Sequence, residues 1–257
     1  LGITPEDIDG CPLGCLGVPE FGTDFVIQMV IDTKPKTLSD LIRISGLSHG
    51  TDVWLNNAQT LIEEGKATIS TAICTRDDIM TYLINKGMDS EESFTIMERV
   101  RKGTVAKGKC KEWPEFKKDM AEHNVPDWYV WSCEQIKYMF PKAHAAAYVM
   151  MGWRVAWFKV HKPLAYYAAY FTIRADAFDS DIMCHGVERV KNKMKEIELA
   201  GKGATKKDQD TYGVLEIVLE MYERGFNFLP IDLYDSDAIK FKVTEEGIIP
   251  PLNSIPG

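Results

Sequence analysis

The chain has 257 residues, 45% of them hydrophobic, with 38 acidic and 30 basic side chains and a formal net charge of −8. That length and apolar content allow a real core in one large domain or two small ones, which argues against disorder. The negative balance excludes a protein that coats nucleic acid with its whole surface, so any contact with a polyanion must be local.

A Gly- and Pro-rich entry over residues 10–22 precedes an apolar helix around Phe25 to Ile31, which Lys34-Pro-Lys36 breaks. Within the entry, Cys11 and Cys15 have the spacing of half a zinc site, but no second Cys or His pair follows at finger-like distance, so no metal is expected. All six cysteines (Cys11, Cys15, Cys74, Cys110, Cys133, Cys184) are scattered through a chain too large to need disulfide staples, which points to a reducing, intracellular setting. Thr37 caps a second helix expected to end at Gly46. Ser48, His49, Gly50 and Thr51 then read as a polar loop, and Thr51 or Asp52 as the cap of a helix running through Trp54 and Leu61 to Gly65.

Residues 76–86 read as a short helix closed by Gly87. Asp89 or Ser90 caps the next, with Phe94, Met97 and Val100 on one face, and that helix ends at Arg99, Arg101, Lys102 and Gly103. Pro114 and Pro126 suit first helical positions and predict helices near 114–123 and 126–139. Pro141 opens a central helix of about 22 residues, some 33 Å long at 1.5 Å per residue, which Lys162-Pro163 ends. Residues 164–174 continue as a small-and-aromatic helix, and amphipathic helices follow at about 180–200 and 206–224. After Gly225 the period changes to two, around residues 227–233 and 239–243 and before Ile248-Ile249. The fold class is therefore mainly α, a helical domain over 1–225 with a small β unit in 226–257. No run of 18 apolar residues occurs, so no membrane partner is expected.

Two islands of positive charge stand out in this acidic chain. Residues 135–175 contain no Asp or Glu, where an even spread would place about six, yet hold Lys137, Lys142, Arg154, Lys159, Lys162 and Arg174 with His144 and His161. From Arg99 to Lys111 there are six basic side chains (Arg99, Arg101, Lys102, Lys107, Lys109, Lys111) and no acid. Lys142 and His144 beside a helix N-terminus make sense against an anion, since exposed N–H groups and lysine together form a phosphate site. Tyr148, one turn on, is a flat ring able to stack on a base; ordinary packing is the competing reading for both rings. Guanidinium groups followed by glycines suit bidentate phosphate contact, although a solvated loop is the commoner fate of such runs. Asp77-Asp78 and Asp179 with Asp181 are the closest acid pairs, but both read as helix N-terminal acids, so no catalytic residue and no metal ligand is assigned.

Several long strings carry a resemblance. Leu16-Gly-Val-Pro-Glu-Phe-Gly-Thr23, Ser45-Gly-Leu-Ser-His-Gly-Thr-Asp-Val-Trp54, Arg76-Asp-Asp-Ile-Met80 and Ile136-Lys-Tyr-Met-Phe-Pro-Lys-Ala-His-Ala-Ala-Ala-Tyr-Val149 come first. Tyr166-Tyr-Ala-Ala-Tyr-Phe-Thr-Ile-Arg174 and Ile248-Ile-Pro-Pro-Leu-Asn-Ser-Ile-Pro-Gly257 follow in order. The chain resembles the fingers region of PolC-type, C-family bacterial replicative DNA polymerases of the DNA polymerase III alpha class. Its Lys-rich loop between Lys102 and Trp113 departs from the family pattern.

The resemblance implies a helical domain that closes over an incoming deoxynucleoside triphosphate (dNTP) opposite the template base, in the bacterial cytoplasm. It further implies that the chain is a piece of a longer polypeptide. Its palm would carry the catalytic aspartates and hold Mg²⁺, and a helix-hairpin-helix duplex-binding region would follow residues 226–257. Carried over by position, Arg99, Arg101, Lys102, Lys142 and His144 would lie near the triphosphate, Tyr148 at the nascent base pair, and Ser48, His49 and Thr51 near the base. Lys107, Lys109, Lys111 and Arg154 would face DNA. Primer-template DNA, dNTP and the neighbouring regions of the same polypeptide are the implied partners. The alternative is a stand-alone helical nucleic-acid or protein-interaction module without a nucleotide pocket.

Overall fold

A computed structural model describes residues 1–256; Gly257, the end of the 226–257 segment, lies outside the described residues. The chain divides into two compact units, one of residues 23–152 and one of residues 1–22 with 153–257. The mainly helical class is borne out. Twelve α-helices are present among the described residues, and the only sheet there is a two-stranded one near the C-terminus.

In the unit of residues 23–152, α1 (Asp24–Thr33) buries Val26, Ile27 and Met29 and ends where Lys34 turns left-handed. Helix α2 (Leu38–His49) starts at a reciprocal cap, Asp40 N–H to Thr37 Oγ1 at 3.1 Å and Thr37 N–H to Asp40 Oδ2 at 3.0 Å. It does not stop at Gly46. A Cβ there would lie 2.6 Å from the Cys74 carbonyl oxygen, so this glycine serves close packing inside the helix. Ser48 and His49 therefore belong to the last turn of α2 rather than to a loop. A wide turn over Trp54–Ala58, non-helical at Leu55 and Asn56, leads into the short α3 (Gln59–Glu63), where one longer helix was expected.

Helices α4 (Arg76–Asn85) and α5 (Ser90–Arg101) pack as a hairpin, with Asp89 Oδ1 accepting from the N–H groups of Glu91 and Glu92. The buried face of α5 is Ser93, Ile96, Met97 and Val100; Phe94, expected on it, is 51% exposed. Helices α6 (Trp113–Glu122) and α7 (Asp127–Gln135) follow, and α8 (Lys142–His161) begins in this unit. A buried clamp ties α7 to the wide turn. Ser132 Oγ donates to Asn57 Oδ1 at 2.6 Å, while Asn57 Nδ2 donates to the Ser132 carbonyl at 3.3 Å.

The other unit holds the later residues of α8, α9 (Pro163–Ile173), the short α10 (Ser180–Met183), α11 (Val187–Ala200) and α12 (Lys206–Glu223). The single helix expected over 180–200 is broken by Gly186, whose φ is 92°. Strands β1 (Lys242–Val243) and β2 (Ile248–Ile249) pair antiparallel, Lys242 with Ile249 and Val243 with Ile248. Residues 227–233 form no strand, only a bridge from Phe228 to Ile248. Phe171 of α9, Phe178, Phe228 and Phe241 make one aromatic cluster, which packs the strand segment onto the helices.

Deeper in this unit, Lys159 is buried. Its ammonium donates to the carbonyls of Gly14 (2.9 Å) and Leu16 (2.6 Å) and pairs with Glu220 at 2.9 Å. Tyr167 donates to Glu220 at 2.7 Å, and Arg224 Nη1 donates to Tyr167 Oη at 3.0 Å and to the Lys159 carbonyl at 2.9 Å. Burial pulls the Lys159 pKa down from the ordinary lysine value, with Glu220 opposing. Lys159 is thus a core ion-pair member and unavailable to an external anion.

Candidate functional site

The helix expected to run to residue 139 ends at Gln135, because residues 136–141 are drawn into backbone bonding with three other segments. Thr51 N–H donates to the Tyr138 carbonyl at 2.9 Å and Lys137 N–H to the Thr51 carbonyl at 3.1 Å; Met139 N–H reaches the Arg101 carbonyl at 3.3 Å and Arg76 N–H the Phe140 carbonyl at 3.2 Å. This extended strap gathers the C-terminal ends of α2 and α5 and the N-terminal end of α4, three places far apart in sequence, and leads directly into α8. Gly103 is fixed by the same geometry: its φ is 68°, and a Cβ would press on the Lys137 backbone, 2.9 Å from its Cα.

Along the strap runs an aromatic ladder. His49 stacks on Phe140 (centroids 4.9 Å), Phe140 meets His144 edge-on (4.8 Å), and His144 stacks on Tyr148 (4.6 Å). His49, His144 and Tyr148 are all exposed. Ser48 turns inward, its Oγ donating to the Ser45 carbonyl at 3.0 Å. Phe140 links the two histidines and was not singled out in the sequence; its signal is an aromatic directly before Pro141.

The basic groups at the strap are partnered within the chain. Arg101 grips Glu98, with Nη2 to Oε2 at 2.8 Å and a second bond from Nε to Oε1, and Lys102 Nζ lies 2.9 Å from Glu98 Oε2. The Arg101 hydrogen bond holds the Glu98 carboxyl down at about 2 and raises the arginine. Arg99 pairs with Glu112 at 3.0 Å. Glu98 and Glu112 both flank the acid-free run Arg99 to Lys111, and the i,i+3 and i,i+4 spacings of Arg101 and Lys102 from Glu98 were the available signal.

At the start of α8, Asp77 Oδ2 accepts from Lys142 N–H at 2.8 Å, and Lys142 Nζ stands 3.9 Å from Asp78 Oδ1. The anion at this helix N-terminus is therefore the protein's own. Lys137 pairs with Asp52 at 2.7 Å. Lys107, Lys109 and Lys111 are exposed on the loop after Gly103 and enter no ion pair among the described residues; Arg154, also exposed, falls in the other unit.

The acid pairs are used in caps. Asp78 Oδ2 accepts from the N–H of Thr75 at 2.8 Å, and Asp179 Oδ1 from those of Asp181 (3.0 Å) and Ile182 (3.3 Å). Among the described residues no group of three or more His, Cys, Asp and Glu side chains is placed to hold a metal, and no helix is long and apolar enough to cross a membrane.

A family model matches residues 12–124, which run from the entry segment through α6 and stop short of the strap, to the finger domain of the bacterial DNA polymerase III alpha subunit. All 257 residues align with PolC-type DNA polymerase III of Caldanaerobacter subterraneus subsp. tengcongensis at 59% identity, covering 18% of that protein. The whole chain also aligns with the PolC-type enzymes of Clostridium perfringens (56%, 17% of its length) and Streptococcus suis (57%, 18% of its length). Over its whole length the chain is similar to a segment of PolC-type DNA polymerase III, and over residues 12–124 to the finger domain of the alpha subunit. It spans less than a fifth (17–18%) of the length of these relatives.

Proposed function

We propose that the polypeptide bearing this chain is a DNA-directed DNA polymerase, a nucleotidyltransferase of bacterial chromosome replication acting in the cytoplasm. Within it, this chain receives the incoming dNTP and the nascent base pair. The observation that carries the reading is the strap, which brings the ends of α2, α5 and α8 together although they lie up to about 90 residues apart in sequence. In this reading Arg101, with Arg99 and Lys102 beside it, and Lys142 with His144 face the triphosphate, and exposed Tyr148 stacks on the base pair. Ser48, His49 and Thr51 lie beside the base. Lys107, Lys109, Lys111 and Arg154 meet the DNA backbone, where exposed lysines without internal partners contribute salt-dependent affinity. The anion competes with Glu98 for Arg101 and with Asp78 for Lys142, so nucleotide binding exchanges one set of ion pairs for another.

In the same reading residues 1–225 form the fingers, and residues 226–257 are a short strand unit and linker toward a duplex-binding region. Mg²⁺ belongs to carboxylates outside the chain, because Asp77, Asp78 and Asp179 are committed to backbone N–H groups and do not fit a metal site. The chain alone is then unable to extend a primer; extension by the purified chain would contradict this. The principal test is steady-state kinetics of the whole polymerase at saturating primer-template. Arg101→Ala and Lys142→Ala should each lower catalytic efficiency for nucleotide roughly ten- to a hundredfold, the loss of one charge-assisted contact. Unchanged nucleotide efficiency with weakened DNA affinity would make both residues duplex contacts and defeat the assignment.

A further inference from the structure

The unit of residues 23–152 also contains a cavity of about 270 Å³. One wall is a face of α4, where Asp78, Thr81 and Asn85 recur at helical spacing; Arg43 of α2, Tyr129 of α7 and Lys142 are among the other residues that line it. Two cations there share one carboxylate oxygen at the outer limit of ion pairing, Arg43 Nη1 at 4.0 Å and Lys142 Nζ at 3.9 Å from Asp78 Oδ1. The other Asp78 oxygen is committed to the N–H groups of Cys74 (3.2 Å) and Thr75 (2.8 Å). One acid against two bases leaves the cavity net positive.

Tyr129 supplies a second, independent observation. It is 1% exposed, its ring stacks on Tyr82 at 4.0 Å, and its hydroxyl meets no hydrogen-bonding partner among the described residues. A buried hydroxyl left unpaired is destabilising, and an acceptor in the cavity would relieve it.

We propose that this cavity binds a small oxyanion of the phosphate class, held by Arg43 and Lys142 and by a hydrogen bond donated from the Tyr129 hydroxyl. A cation would meet Arg43 and Lys142, and a neutral ligand would leave their excess charge uncompensated. The volume suits a group of a few heavy atoms rather than a drug-sized molecule. The hydroxyl of Thr81 and the amide of Asn85 supply further neutral donors to such a group. The site does not depend on the polymerase reading. It shares Lys142 and that lysine's partner Asp78 with that reading, so the test leaves both untouched.

The test is isothermal titration and thermal unfolding of the 257-residue chain with inorganic phosphate, and separately with a short single-stranded oligonucleotide, against chloride of equal ionic strength. Phosphate should bind saturably and raise Tm where chloride does not. Tyr129→Phe should weaken phosphate binding about fivefold while leaving the phosphate-free chain as stable as before or more so. Arg43→Gln should weaken it about tenfold or more, and Lys118→Gln, on the outer face of α6, should have no effect. Tighter oligonucleotide than phosphate binding, lost in the same variants, identifies the anion as a nucleic-acid phosphate; a response to phosphate alone identifies a free anion. The proposal falls if phosphate acts no differently from chloride, or if its effect survives both substitutions in chains with unchanged circular dichroism. It also falls if Tyr129→Phe lowers Tm without phosphate, since the hydroxyl would then already be satisfied.

Discussion

Glu220→Gln removes the countercharge of a fully buried lysine and little else, because glutamine has nearly the same volume. In the native chain the Lys159 ammonium has three partners, two carbonyls at 2.9 and 2.6 Å and Glu220 at 2.9 Å, and the two side chains are 1% and 0% exposed. After the substitution a charge remains in the core with only neutral acceptors, a situation that costs about 3–5 kcal/mol. Lys159→Met leaves the converse defect, a buried carboxylate held by Tyr167 alone, and should lose a similar amount. Lys159→Met with Glu220→Leu removes both charges and should lose far less than the sum. Lys159 also gives the deficit a pH dependence. Its folded pKa is already depressed by burial, and losing Glu220 depresses it further, so between the folded and the ordinary lysine value the unfolded chain binds more protons. Stability of the Glu220→Gln chain should therefore rise with pH across that window. Urea denaturation followed by circular dichroism measures all of this. Single losses below about 1 kcal/mol, or strict additivity in the double variant, would refute the buried-pair reasoning.

Gly103→Ala forces a left-handed backbone on alanine and drives its Cβ into the Lys137 backbone, so urea denaturation should show a loss of about 2–4 kcal/mol; a neutral result would mean the strap is not held against the end of α5. Glu98 has its folded carboxyl lowered to about 2 by Arg101, so its contribution is present above the ordinary glutamate value and lost as pH falls from about 4.5 toward 2. Because the side chain is one-fifth exposed (20%), Glu98→Gln should cost up to about 1 kcal/mol at neutral pH and nothing near pH 2; a pH-independent difference would contradict the pairing.

What was legible in the sequence is local. Thr37 with Asp40, and Asp89 ahead of Glu91 and Glu92, mark helix starts because the capping partners lie within four residues. Helix ends set by tertiary contact were not legible. Nothing near Gly46 announces the Cys74 carbonyl, and residues 136–139 keep a helical pattern although Thr51 and Arg101 pull them into an extended strap. Charge patterning is incomplete for the same reason. The acid-free stretch suggested an external anion, but Lys137, Lys142 and Lys159 find Asp52, Asp77, Asp78 and Glu220, acids 61 to 85 residues away. The candidate residues His49, Arg101 and the pair His144 and Tyr148 come from three separate stretches of sequence; that the strap brings those stretches together is visible only in the fold.

Photo-cross-linking in the whole polymerase tests the central claim most directly, using a dNTP with a photoreactive group on its γ-phosphate, bound with primer-template and a chain-terminated primer. Mapping the labelled peptides should place the label on residues 99–102 and 142–148, suppressed by excess unlabelled dNTP. Competable labelling that avoids both segments would show that the strap does not face the triphosphate.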